Sequence, residues 1–316
     1  MFNKKILLGW VLLLGVSVPA AWAEISKEEI KPKHVFVQAQ RILNEVDLIR
    51  IEMGKPEQEL LQIKISNAQP REVFFQALTL YKKADRMCFD HTRNTGPIPP
   101  KMKEGKILPG DVYEVLERAM IRVRCVSNYW GIAKSANAPI ANPYHTPSNV
   151  YMKILEVNRE LNFLLDVPFS PSTVFRRVLE TIQLVENFLQ NLYPNIKLAE
   201  PPEFVPRMRP RDVYLQNRRS LALLQKISQL TGIQILDFEF KEEIIRISPG
   251  DVYDLVSLLF SEIKFIENKI STPNLKESSQ KIAFPGRKLP SHVFQKSVYL
   301  EKLLLQWKNE LEKQQN

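Results

Sequence analysis

The chain has 316 residues, with 44 Lys+Arg against 35 Asp+Glu, 22 Pro, 10 Gly and two Cys. At 44% hydrophobic and 25% charged it is too apolar for a disordered polymer and too charged for a polytopic membrane protein. Two cysteines exclude a disulfide-rich mini-scaffold and any tetracysteine zinc module.

The N-terminus carries the first recognisable element. Lys4 and Lys5 precede an apolar run from Ile6 to Val18, and Pro19-Ala20-Ala21-Trp22-Ala23 places small residues where a processing enzyme needs them. This three-part pattern predicts a secretory signal peptide, residues 1–23, cleaved after Ala23. The rival is an uncleaved anchor, but the run falls short of the roughly 18 to 20 residues that span a bilayer. No Cys follows it to take a lipid, and no second long apolar segment follows in the mature chain. Cleavage removes two lysines and no acid, so the formal charge falls from +9 to +7 (9 − 2). In an exported protein, periplasmic or released to the medium, that balance points to anionic envelope partners such as lipid head groups, glycans or acidic proteins, and away from nucleic acid.

The rest of the chain repeats one phrase. Pro-x-x-Val-[Phe/Tyr] occurs eight times, at Pro32, Pro70, Pro109, Pro147, Pro171, Pro210, Pro249 and Pro290, with intervals of 38, 39, 38, 24, 39, 39 and 41 residues. Each copy predicts a helix start, because Pro at the first helical position gives up only an N–H that has no partner there and its φ already suits the helix. Thr146, Ser170 and Ser248 precede their prolines as N-caps, and Glu72, Asp111, Asp212 and Asp251 set a carboxylate at the positive end of the helix dipole. Apolar residues then recur at helical spacing, as in Val112, Val115, Leu116, Ala119, Met120 and Val123. The prediction is eight helices of roughly 20 residues, about 30 Å each, with Gly54, Gly131 and Gly232 near three C-termini.

The one short interval divides the eight into two sets of four. Leu-Pro-Gly-Asp-Val-Tyr (108–113) aligns with Ser-Pro-Gly-Asp-Val-Tyr (248–253), and Pro-Arg-Glu-Val-Phe (70–74) with Pro-Arg-Asp-Val-Tyr (210–214), each at an offset of 140. The fold class is therefore all-α: a tandem duplication of a four-helix unit, with halves at 24–168 and 169–316. Links of about 16 to 19 residues exceed those of ordinary bundles, and when extended they are long enough to return along a 30 Å helix. Consecutive helices within a half can thus be parallel, whereas residues 167–170 are too few to return, so the fourth and fifth helices should be antiparallel or sharply angled. The alternative architecture is an α-solenoid of hairpins with a second helix in every link.

Candidate sites follow from these placements. Cys88 and Cys125 both fall in the last turns of the second and third helices. Parallel helices bring the sulfurs level, whereas antiparallel ones hold them roughly 25 Å apart. An oxidising compartment favours a Cys88–Cys125 disulfide, and two small buried hydrophobes are the alternative. Cys88 and His91 share a metal-site spacing but lack further ligands, so no metal and no cofactor is expected. His34 and His292 occupy the variable place before Val and read as helix-start residues. There is no Gly-x-Ser-x-Gly, no His-Glu-x-x-His and no phosphate loop, which argues against an enzyme.

Two further groups bear on binding. Tyr113, Tyr151, Tyr214 and Tyr253 could line a ligand pocket, although an aromatic after every Val more simply anchors each first turn in the core. Arg207, Arg209, Arg211, Arg218 and Arg219 crowd the start of the sixth helix and form the sharpest candidate site for an anionic partner; the plainer reading is a solvated face. Lys82-Lys83-Arg86, Arg118, Arg122 and Arg124, and Arg176-Arg177 add positive clusters. The expected function is a non-catalytic, exported helical scaffold or adaptor for an envelope protein or anionic surface, and the second reading is a small-ligand-binding or sensory helical bundle.

Overall fold

A computed structural model describes residues 27–57, 63–100, 106–133, 140–165, 169–240, 246–270, 283 and 286–315. The predicted leader and its cleavage site lie outside them. Eight helices begin at the eight prolines: α1 (Pro32–Glu52), α2 (Pro70–Thr92), α3 (Pro109–Tyr129), α4 (Pro147–Leu164), α5 (Pro171–Leu192), α6 (Pro210–Thr231), α7 (Pro249–Ile270) and α8 (Pro290–Gln315). Among the described residues two short strands, β1 (Ile63–Ser66) and β2 (Asp237–Phe240), lie in links. Among the described residues no helix is long and apolar enough to cross a membrane.

The repeated phrase is a capping device. Pro occupies the first helical position, and the side chain two residues later accepts the backbone N–H of the capping residue. Glu72 takes it from Gln69 at 2.6 Å, Asp111 from Leu108 at 2.9 Å, Asp212 from Arg209 at 2.7 Å and Asp251 from Ser248 at 2.8 Å. Asn149 does the same for Thr146 at 2.9 Å. The Nδ1 atoms of His34 and His292 serve Lys31 and Leu289, both at 3.1 Å, so the two histidines are helix-start residues. This is the returning half of a capping box, in which a helix N-terminus satisfies its own stray donors. The Val that follows is at most 3% exposed in all eight copies, so it is the Val that anchors every first turn. The aromatic beside it is buried in α2, α4, α5 and α6 and only partly so in the others.

Each half is a four-helix bundle with the same neighbours. The first helix packs on the third and fourth, and the second packs on the third and fourth, in both sets. All four helices of a bundle run in one direction. In the first, Phe36 stacks on His145 at the starts of α1 and α4, and Lys55 Nζ donates to the Phe163 and Leu164 carbonyls at their ends, both at 3.2 Å. In the second, Met208 N donates to Ser291 Oγ at the starts of α6 and α8, and Gln315 Nε2 to the Leu230 carbonyl at their ends. Phe188 and Trp307, each 17 residues past its proline (188 − 171; 307 − 290), meet edge to face at 4.7 Å. Parallel order aligns the C-terminal turns of α2 and α3, and Cys88 is bonded to Cys125 with Cα atoms 5.8 Å apart. The described parts of the links hold strands and irregular chain rather than second helices, so a hairpin solenoid does not form.

The two bundles run antiparallel to one another and meet through different faces. The first offers α2 and α4, the second offers α7, and β1 pairs antiparallel with β2 across the joint with Ile65 opposite Phe238. Arg71 at the start of α2 reaches Glu262 far along α7, at 2.8 Å, while Lys83 farther along α2 reaches Asp254 near the start of α7, at 2.6 Å. Gly250 lets α7 approach α4, because a Cβ there would stand 2.5 Å from Asn162 Cγ. The partners are not repeated: at the offset of 140, Lys83 corresponds to Leu223 and Glu262 to Arg122. The duplicated halves have therefore diverged where the joint needs them different.

Candidate functional site

The joint holds a solvent-open cavity of about 370 Å³, within the usual range for small-molecule sites. One face of α2 supplies Phe75, Leu78, Thr79, Lys82, Lys83 and Arg86, at the three- and four-residue spacing that puts side chains on one stripe. The start of α5 supplies Ser170, Thr173 and Arg177, α7 supplies Tyr253 and Ser257, and the connection between bundles supplies Leu165 and Phe169. Phe169 lies flat on Tyr253, centroids 4.6 Å apart. The wall is thus apolar and aromatic with a cationic edge.

Among the described residues, four of the lining side chains are cationic and none is a carboxylate. Three have partners. Lys83, 2% exposed, is committed to Asp254 and to the Asn158 carbonyl at 3.3 Å. Arg177 donates to Glu180 at 2.9 Å and to the Tyr253 hydroxyl at 3.2 Å, and lies over the Tyr253 and Phe260 rings. Arg86 meets Asp90 at 2.9 Å. Lys82, which is exposed, makes no ion pair among the described residues. The α5 N-terminus adds the positive end of a helix dipole, with Ser170 Oγ accepting from Thr173 N at 3.2 Å. Ser257 is 2% exposed, and its buried hydroxyl has no hydrogen-bond partner among the described residues.

A second, buried polar cluster stands behind the cavity, around a space of about 30 Å³ lined in part by Tyr151, Tyr214, Arg159, Asp251 and Asp254. Gln76 Nε2 donates to the Tyr151 hydroxyl at 2.7 Å, and Asn162 Nδ2 to Asp254 at 3.2 Å. Burial pushes the Tyr151 hydroxyl well up, and pushes the carboxyls of Asp254 and Glu72 up as well. Glu262 rises to about 7, chiefly through burial and partly through the neighbouring Glu72 charge, against the pull of Arg71. The cause is visible: one guanidinium serves two buried carboxylates, Glu72 at 2.5 Å and Glu262 at 2.8 Å.

A pH dependence follows. Folded, Glu262 keeps its proton up to about pH 7, whereas an unfolded Glu releases it near 4.5. Its contribution to stability therefore falls as pH rises from about 4.5 to about 7 and is flat above. His34 and His145, whose pKa values burial lowers, act with the opposite sign in an overlapping range, so a comparison isolates Glu262. Thermal midpoints of the wild type and Glu262→Gln should diverge in favour of Gln between pH 5 and pH 8. A gap that does not change with pH would show that Glu262 does not titrate there.

The residues singled out from sequence are dispersed. Tyr253 lines the larger cavity, and Tyr151 and Tyr214 share the smaller one. Tyr113 lies away from both on α3, its hydroxyl pushed up by burial and by Glu117. Of the arginines, Arg207 and Arg209 are exposed before and at the cap of α6, Arg211 and Arg218 are half-buried along it, and Arg219 is exposed about two and a half turns in. Lys82-Lys83-Arg86 and Arg177, seen in the sequence only as positive clusters, converge at the cavity. Ser257 and Phe169 carried no local signal, because their role depends on the meeting of two bundles. Cys88, being bonded, has no thiolate to offer with His91, whose Nδ1 is 2.9 Å from the Met87 carbonyl. No family model matches this chain, and no similar curated protein or solved structure was found.

Proposed function

We propose that the chain is an exported, non-catalytic binding protein that holds a small amphipathic anion between its two bundles. The observation that carries this reading is the cavity of apolar floor whose described lining holds four cations and no carboxylate. An anion there meets guanidinium and ammonium donors and a helix N-terminus, while its apolar part is taken from water by Phe75, Leu78 and Leu165. Binding rather than turnover fits a wall whose described residues include no His, Cys or carboxylate to move a proton. Export is supported by the disulfide, which persists in oxidising compartments. A protein adaptor is the second reading, favoured by Tyr129 (57% exposed) and Trp130 (37%), which gather edge to face with His91 beyond the disulfide.

Calorimetric titration with dodecyl phosphate below its micellar concentration, and with inorganic phosphate beside it, tests the reading. One dodecyl phosphate should bind per chain, and more tightly than the free ion. Lys82→Ala with Arg86→Ala should weaken it, each lost charge-assisted bond costing about 1.5–3 kcal/mol, and Thr173→Trp should block it by filling the space. Absence of saturable binding, or binding indifferent to these variants, would refute the cavity as the site.

A further inference from the structure

We propose that the N-terminal end of the second bundle docks on an anionic membrane surface. Because α5, α6, α7 and α8 all point the same way, their N-termini gather at this end, about half a positive charge each, while the C-terminal turns of the antiparallel first bundle lie to one side, against α7. The helix ends are a background to two other features. A tip of exposed apolar side chains stands there: Phe204 (47%), Val205 (39%) and Leu289 (53%). The tip is held in place, with the Phe204 ring 5.1 Å from His292, Met208 N bonded to Ser291 Oγ at 3.0 Å and Gln295 Nε2 to the Pro202 carbonyl at 2.9 Å.

Cations surround the tip. Arg207, Arg209 and Arg287 are exposed and make no ion pair among the described residues, and Lys288 lies beside them over the Phe175 ring. Of the acids adjoining it in sequence, Glu203 is exposed and the Asp212 carboxylate already accepts the Arg209 N–H. A projecting aromatic and two aliphatic side chains ringed by arginines match the interface of a bilayer, where apolar tips enter the acyl boundary and guanidinium groups meet lipid phosphates. The excess of positive charge selects an anionic surface over a neutral one. This end also adjoins the cavity: Ser172 Oγ accepts from Lys288 N at 2.9 Å, while Ser170 and Thr173 on the same turn line the cavity wall. A docked surface would then lie beside a site suited to an amphipathic anion, yet the docking stands on its own residues and does not require that the cavity be filled.

Flotation with lipid vesicles tests the surface, using the protein as its own cells process it. It should float with an equimolar mixture of phosphatidylcholine and phosphatidylglycerol and not with phosphatidylcholine alone, less so as salt is raised. At about five-fold per cation, Arg207→Ala with Arg209→Ala and Arg287→Ala should weaken partitioning on the order of 100-fold. Phe204→Ser should weaken it roughly ten-fold, and Arg→Lys at the three positions should largely restore it. All these positions are exposed, and unchanged thermal midpoints show that the variants are folded. The cavity is unaltered in them, so dodecyl phosphate binding should persist. Equal flotation with both vesicle types, none with the anionic mixture, or flotation unchanged in the variants overturns the proposal.

Discussion

Replacing Arg71 by Met should destabilise the chain at pH 8 by about 3–5 kcal/mol, the scale for removing one partner of a buried ion pair. Arg71 serves Glu72 and Glu262, both with wholly buried side chains, and lies 3.8 Å from the Phe265 ring centroid. Its loss strands two carboxylates in the joint, and methionine fills the space without offering a donor. The cost should be larger at pH 8 than at pH 5, because at pH 5 the stranded groups relieve the penalty by holding a proton. Adding Glu262→Met should recover part of the loss, since a packed apolar pair often matches a buried ionic one. Denaturant midpoints of the single and double variants measure this coupling. An Arg71→Met change below about 1 kcal/mol would mean that the pair is far more hydrated than its geometry implies.

The second large effect is expected from the disulfide. Cys88 and Cys125 are 37 residues apart in sequence, and closing a loop of that length removes unfolded-state entropy equivalent to roughly 4 kcal/mol. Reduction, or Cys88→Ala with Cys125→Ala, should lower the denaturation midpoint accordingly. The helical circular dichroism of the folded state should be retained, because α2 and α3 also pack along Val73, Ala77, Val112, Val115 and Ala119, all at most 3% exposed. Equal midpoints for oxidised and reduced protein would contradict the bond's role. The two predictions bear on different contacts: the bond ties two parallel helices within a bundle, and Arg71 ties one bundle to the other.

Much of this fold is written locally. Pro, its following capping side chain and the Val act within one turn, so each helix start could be read from five residues, and all eight stand where the phrase places them. Link length made parallel packing possible, and the Cys88 and Cys125 positions tied a bond to that choice. The joint was beyond such reading. Lys83 and Asp254 are 171 residues apart, and neither the 140-residue offset nor helical periodicity indicates which faces of two duplicated bundles meet. A buried lysine looks in sequence like any exposed one. The cavity was illegible for the same reason: Lys82, Arg86 and Arg177 could be recognised as positive clusters, but their convergence is a property of the antiparallel joint. The crowding of Arg207 to Arg219 overstated their proximity, because the helix turns Arg211 and Arg218 away from the exposed end that keeps Arg207 and Arg209.

The most direct test of the binding account is native mass spectrometry of the protein isolated gently from the envelope fraction of its own cells. A stoichiometric non-protein adduct is expected that carries a phosphate or carboxylate and an apolar part, and that is lost from a Lys82→Ala, Arg86→Ala variant prepared in the same way. A bare chain mass, or a stable complex with another protein and no small adduct, would contradict it.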